Sequence, residues 1–293
     1  GNCMQQAENY SVIGFSKGKE TILAEHLNFE MAMAFVQKNE TLHENISIAE
    51  ERIVEDKPNN ILIVSDINLM LPELKLLLDR PTKFKEQFIF LGNFICPGKG
   101  FYEMMMFLCR LQKRRNCLFI RGRNEHNLLA YINGTKDYVG SQEEVEELIT
   151  SIETELTFPV TSLKKRFPEF YLILNESLNF YENDHYIFTS GGLNLSLEGW
   201  KQSTKEELLL TTEEFLLGDN ETNKRIVFGN IPVQNLNQNI IASPWFNRGR
   251  NKIGINGNCR EGGKLLALII HDNVPTFIGV RNIESRKKAV QVY

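Results

Sequence analysis

The 293-residue chain has little that would place it in a membrane, in an oxidising compartment or on nucleic acid. No apolar run approaches the roughly 20 residues that a bilayer-spanning helix needs. Its five cysteines, at positions 3, 96, 109, 117 and 259, form no Cys-x-x-Cys pair and have no partnered histidine spacing. That pattern indicates neither a zinc site nor a disulfide framework, and reducing cytoplasm is the expected location. The formal net charge of -4 provides no overall attraction to nucleic acid. Two short basic runs, Lys113-Arg114-Arg115 and Arg286-Lys287-Lys288, read as solvated surface. Repeats and low-complexity tracts are missing as well. With 42% hydrophobic and 24% charged residues, the composition suits a globular protein with a sizeable core. Gly1-Asn2-Cys3 admits lipid anchoring on Gly1 and Cys3, but Gln5 stands where acylation favours Ser or Thr. A glycine left after removal of a tag is the simpler reading.

What is present is an ordered α/β pattern. Residues 1–56 read as a mainly helical extension, with Ile22, Leu23, Leu27, Met31, Ala34 and Phe35 at three-to-four spacing. A main domain covering residues 57–293 opens at the turn Lys57-Pro58-Asn59-Asn60, followed by a continuous apolar strand, Ile61-Leu62-Ile63-Val64. Helices are predicted over 69–78 and 101–111, and strands over 88–91 and 117–120, which makes a right-handed α/β unit. The Met104-Met105-Met106 run, with Phe101, Phe107 and Leu108, reads as a helix face packed on the sheet. Helices over 143–156 and 163–174, strands over 185–189 and 225–228, and a terminal hairpin from 265–270 and 276–280 complete the pattern.

Five loops, each following a predicted strand, stand out: Ser65-Asp66-Ile67-Asn68, Gly92-Asn93-Phe94-Ile95-Cys96-Pro97-Gly98, Arg121-Gly122-Arg123-Asn124-Glu125, Ser190-Gly191-Gly192 and Gly229-Asn230-Ile231-Pro232. Ligand crevices of α/β sheets lie beyond the carboxyl ends of strands, so these loops are expected to converge. In order and spacing, residues 61 to about 281 resemble the phosphoprotein phosphatase branch of the calcineurin-like metallophosphoesterases, including bacterial Ser/Thr phosphatases and symmetrical diadenosine tetraphosphatases. The family loops read Gly-Asp-x-His-Gly, Gly-Asp-x-x-Asp-Arg-Gly, Arg-Gly-Asn-His-Glu, His-Gly-Gly and Gly-His-Thr-Pro. A later Tyr-Gly-Gly-Lys-Leu-like segment survives here as Glu261-Gly262-Gly263-Lys264-Leu265. The resemblance implies a four-layer sandwich of two mixed β-sheets flanked by helices.

It also implies a two-metal hydrolytic site, for which most of the chemistry has been replaced. The first Asp is Asp66, but its His partner is Asn68 and the bridging Asp is Asn93. The Asn ligand of the third motif is Arg123 and the catalytic His is Asn124; the two later His ligands are Ser190 and Asn230. The carboxylate that orients the catalytic His is Cys96, and the family's phosphate-binding arginines are Pro97 and Thr212; Arg121 is the one family phosphate contact retained. Neutral amides are poorer ligands than carboxylate or imidazole, so no metal and no cofactor are expected. The guanidinium of Arg123 is expected to approach Asp66 and to replace a metal structurally.

No other catalytic set is recognisable. Ser190 precedes two glycines but has no histidine in a hydrolase arrangement; His126, His185 and His271 read as surface or loop residues. Cys96 reads as a quiet, half-buried thiol, and the glycine-lysine clusters at 98–100 and 14–19 lack Walker spacing. The expectation is a catalytically inactive phosphatase-like protein, a pseudophosphatase, that binds a protein partner or serves as a scaffold. The alternative is a sensor of an anion, nucleotide or phosphopeptide through Arg121 and Arg123, and a residual metal-dependent phosphoesterase is the least favoured reading.

Overall fold

A computed structural model describes residues 10–16, 19–43, 45–50 and 60–285, which fall into two compact units, 1–57 and 58–293. Gly1, Cys3 and the basic run at 286–288 lie outside the described residues. Among the described residues no helix is long and apolar enough to cross a membrane.

The first unit corrects the expectation of a mainly helical extension. Strand β1 (Tyr10–Ser16) pairs antiparallel with β2 (Lys19–Leu27) on one side and β3 (Asn45–Glu50) on the other, and helix α1 (Phe29–Asn39) packs on this sheet. The stripe that suggested one long helix spans two elements: Ile22, Leu23 and Leu27 lie in β2, and Met31, Ala34 and Phe35 lie in α1. Asn28 divides them by accepting a hydrogen bond from the Met31 N–H at 2.8 Å, as a helix N-cap. β-Branched residues such as Val12, Ile13, Thr21 and Ile22 favour the extended chain.

The second unit contains, in chain order, β4 (Asn60–Val64), α2 (Leu71–Leu78), β5 (Glu86–Phe90), α3 (Phe101–Arg114), β6 (Asn116–Phe119), α4 (Arg123–Asn133), α5 (Gln142–Leu156), α6 (Leu163–Arg166) and α7 (Pro168–Glu176). It continues with β7 (Tyr181–Glu182), β8 (Tyr186–Phe188), α8 (Lys205–Leu209), α9 (Glu213–Leu217), β9 (Arg225–Phe228), α10 (Val233–Asn237), β10 (Trp245–Phe246), β11 (Lys252–Gly254), β12 (Lys264–His271) and β13 (Val274–Arg281). The predicted helix over 163–174 is two helices, because Pro168 opens α7 and pushes Phe167 out of helical geometry (φ -132°, ψ 65°).

These strands form two mixed five-stranded sheets, ordered β13-β12-β4-β5-β6 and β10-β11-β9-β8-β7. Strands β4, β5 and β6 are parallel, as are β8, β9 and β11; the outer partners are antiparallel. Alternation along each strand sorts side chains into three cores. Leu62, Val64, Phe88 and Phe90 face a helical layer containing Leu74, Met104, Met105, Leu148 and Phe170. Their neighbours Ile63 and Ile89 turn to the other side, where they meet Tyr186, Phe188 and Val227 from the second sheet. Ile187, Ile226 and Phe228 then point outward to Trp200, Leu208, Leu209 and Phe215. The layering is therefore helices, sheet, sheet, helices. Burial on both faces favours apolar side chains at successive positions, which is why residues 61–64, 88–90 and 226–228 within β4, β5 and β9 read as unbroken hydrophobic runs.

Candidate functional site

All five loops leave the carboxyl ends of β4, β5, β6, β8 and β9, and three glycines show how closely they meet. A Cβ on Gly92 would lie 2.4 Å from the Gly122 nitrogen and 2.8 Å from Ser190 Oγ. One on Gly122 would lie 2.3 Å from the Asn93 nitrogen, and one on Gly229 would lie 1.7 Å from Ser65 Oγ. The backbone is bent sharply as well, with positive φ at Asp66 (46°), Asn68 (45°), Asn93 (46°) and Asn230 (70°). Asn and Asp tolerate this region better than other side-chain-bearing residues.

At the centre is a chain of polar contacts. Asp66, 4% exposed, accepts hydrogen bonds at Oδ1 from Ser65 Oγ and from the Asn230 N–H, each at 2.8 Å. Its other oxygen lies 3.4 Å from Asn93 Nδ2, and the same nitrogen is 3.5 Å from Asn230 Oδ1. Asn93 Oδ1 accepts the Asn124 N–H at 3.1 Å, and Asn230 Nδ2 donates to Thr211 Oγ1 at 3.1 Å. A backbone N–H can only donate, so the Asn124 bond fixes the Asn93 amide with its nitrogen turned to Asp66 and Asn230. Burial raises the Asp66 carboxyl to about 6, against the hydrogen bonds from Asn230, Ser65 and Asn93 that lower it.

Of the sequence-predicted residues, Asp66, Asn93, Asn124 and Asn230 are joined directly. Ser190 contributes its carbonyl to the Gly229 N–H at 2.8 Å, while its buried hydroxyl has no hydrogen-bond partner. Asn68 joins through its backbone, donating to the Asn93 carbonyl at 2.9 Å and accepting from Arg260 Nη1 at 3.2 Å. Cys96 is 7% exposed and burial raises its thiol to about 12, which is an inert setting.

Both arginines depart from expectation. Arg123 does not pair with Asp66; its Nη1 lies 3.1 Å from Glu144 Oε2 in the first turn of α5, with both side chains partly exposed. Its charge is the weakest of the influences on Asp66. The carboxyl of Asp66 already has its donors, and bringing a guanidinium into that enclosed position would cost more solvation than pairing at the surface. Arg121 is turned away from the crevice. Its Nε donates to Ser177 Oγ at 2.8 Å and its Nη2 to the Leu174 and Asn175 carbonyls at 3.0 and 3.2 Å. It therefore caps the carboxyl end of α7, where a cation and orphan carbonyls are complementary.

Two residues carry more of the site than sequence reasoning gave them. Glu125, fully buried, accepts the backbone N–H groups of Asn93, Gly122 and Ile95 at 2.6, 3.0 and 3.2 Å, tying the second loop to the third. Its burial raises the carboxyl to about 8 in spite of those donors. The signal was available, since a Glu three residues after a helix-opening Gly is a capping arrangement. Arg260, from a short turn over Cys259–Glu261, reaches the first two loops, and a Cβ on Gly98 would lie 1.9 Å from its Nη2. No local pattern announces that long-range contact.

The donor set does not fit a two-metal centre. Asp66 is the one carboxylate among the aligned positions, its Oδ1 already accepts two hydrogen bonds, and Asn93 presents a nitrogen donor where a bridging oxygen would be required. Arg123 has no lone pair to offer. Among the described residues no group of three His, Cys, Asp or Glu side chains is arranged to hold a metal ion.

No protein-family model matches the chain. No curated protein matches it in sequence either. Solved structures do match in fold. A protein described as a diadenosine tetraphosphatase shares 14% identity over 76% of this chain and 95% of its own, with a TM-score of 0.52. A point mutant of a cold-active protein tyrosine phosphatase gives 12% identity, 75% and 80% coverage and a TM-score of 0.54. The cold-active protein tyrosine phosphatase of a psychrophilic Shewanella species gives 12%, 75% and 80%, with a TM-score of 0.50. The chain thus shares its fold with these solved phosphatases. At these identities the likeness concerns the fold alone.

Proposed function

We propose that this chain is a phosphatase-fold protein without phosphoesterase turnover, acting by binding a protein partner or supporting an assembly. The observation that carries the reading is Asn93: its amide nitrogen faces Asp66 and Asn230 where the resemblance calls for metal-bridging oxygen. Nucleophile generation, phosphate clamping and proton donation in this fold depend on groups that are here amide, proline, threonine and thiol. The test is an assay of the full chain with p-nitrophenyl phosphate, a phosphopeptide and a dinucleoside polyphosphate, with and without Mn²⁺. Turnover that disappears in Asp66→Ala would overturn the reading. Capture experiments with the full chain and with residues 58–293 would then locate partner binding.

A second reading, recognition of an anion or nucleotide in the crevice, is supported by Arg260 instead of Arg121 and Arg123. Its guanidinium bonds the Asn68 carbonyl at the crevice and lies against Gly98, whereas the other two are engaged elsewhere. Calorimetric titration with phosphate, sulfate and ATP would show binding lost in Arg260→Ala and kept in Arg121→Ala.

A further inference from the structure

We infer that the Asn93 side-chain amide acts as an internal stand-in for a cation, holding the first, second and fifth loops together, and that replacing its nitrogen with oxygen converts this pocket into a site for a hard divalent cation. The inference deepens the non-catalytic reading of the same pocket and rests on it only for the claim that the wild-type pocket takes no cation.

The geometry is specific. Asn93 Nδ2 faces two acceptors from two different loops, 3.4 Å from Asp66 Oδ2 and 3.5 Å from Asn230 Oδ1. Both separations are long for hydrogen bonds, so the nitrogen bridges the two oxygens loosely, as an electropositive group between them. Its orientation is imposed from outside the pocket, because Asn93 Oδ1 is held at 3.1 Å by the Asn124 N–H at the start of α4. Rotating the amide to offer its oxygen inward would set the nitrogen's hydrogens against that N–H. The remaining pocket oxygens are also anchored: Asp66 by Ser65 and the Asn230 N–H, and the Asn230 side chain by Thr211. An anchored pair of oxygen acceptors with a donor held between them sets that donor directly against a metal ion.

In Asn93→Asp the Asn124 N–H still holds one oxygen, and the other points at Asp66 Oδ2. Two carboxylates then face each other across a buried gap, which is unfavourable unless a proton or a cation lies between them. Oxygen donors from Asp66, from the substituted side chain and from the Asn230 amide suit Ca²⁺, Mg²⁺ or Mn²⁺ and not a thiophilic metal.

The experiment is thermal unfolding of the full chain at pH 8 in EDTA, Mg²⁺, Ca²⁺ and Mn²⁺, for the wild type, Asn93→Asp and Asn93→Ala. The wild-type midpoint is expected to be the same in all four. Asn93→Asp is expected to melt lower than the wild type in EDTA and to recover by roughly 5–10 °C once the cation exceeds its dissociation constant about 100-fold. Asn93→Ala is expected to melt lower with no recovery. A wild type that responds to the cations as strongly as Asn93→Asp would show that the amide is no barrier and overturn the inference. Asn93→Asp behaving as Asn93→Ala, or failing to fold with and without cation, would overturn it equally. Turnover by the wild type in the phosphatase assay would instead remove the functional reading, leaving these midpoints to decide the cation question separately.

Discussion

Burial and hydrogen bonding act in opposite directions on Asp66 and Glu125, and burial prevails at both. A carboxyl whose folded value lies above its ordinary one holds a proton that the unfolded chain releases, so stability falls as pH rises between the two values. For Asp66 that interval runs from 3.8 to about 6, and for Glu125 from 4.5 to about 8. Urea midpoints are therefore expected to decline from pH 4.5 to pH 8 and to level off above. Asp66→Asn should flatten the decline below pH 6 and leave most of the part between pH 6 and 8, a contrast that equilibrium melts at several pH values would read directly. Glu125→Ala leaves three backbone donors without their acceptor and is expected to destabilise by about 3–5 kcal/mol. Arg123 offers the opposite case. Its partly exposed pair with Glu144 is worth no more than about 1 kcal/mol, so Arg123→Ala should shift the urea midpoint only slightly. The sequence named Asp66, Asn93, Asn124 and Asn230 together, and hydrogen bonds join these four. It could not show where two long arginine side chains would find partners, because that choice depends on Glu144 and on the end of α7.

Helix α5 fastens the second loop in a way that no motif describes. Glu155 accepts the N–H groups of Gly100 and Tyr102 at 2.7 Å each, and Ser151 Oγ accepts the Gly98 N–H at 2.6 Å while donating to the Gly98 carbonyl at 3.1 Å. A carboxylate at the amino end of α3 satisfies donors that the helix cannot satisfy itself and complements its dipole. Glu155→Ala should destabilise by about 1–3 kcal/mol, measured by chemical denaturation, and amide exchange should rise first at Gly100 and Tyr102. At this scale β4, β5, β6, β8, β9, β12 and β13 are legible in the sequence from their apolar runs, whereas β7, β10 and β11, of two or three residues each, are too short to leave one. The first unit is not legible in this way, because three apolar residues in β2 and three in α1 continue one helical spacing across Asn28. Propensity alone favours strand for Val12, Ile13 and Ile22, and the strand pairing of β1 with both neighbours decides it.

For the molecule as a whole, residues 58–293 contain both large sheets, all three hydrophobic cores and every crevice residue, whereas residues 1–57 form a separate compact unit. A chain beginning at residue 58 is expected to fold and to unfold cooperatively, with a thermal midpoint within a few degrees of the corresponding transition in the full chain. Loss of cooperativity on truncation, seen by calorimetry, would show that the second unit depends on the first.

The glycines of the crevice carry a consequence for how activity is inferred from sequence. At Gly92 and Gly122 a single methyl group would run into the neighbouring loop's backbone, and at Gly229 it would strike Ser65. Those positions are barred to larger residues by packing, whether or not any reaction takes place beside them. The side chains that would perform the reaction are under no such restraint, since amides and hydroxyls fit the same spaces. A glycine signature of this kind is therefore a test for architecture, and a catalogue of phosphatases compiled from it would be selected by packing and not by chemistry.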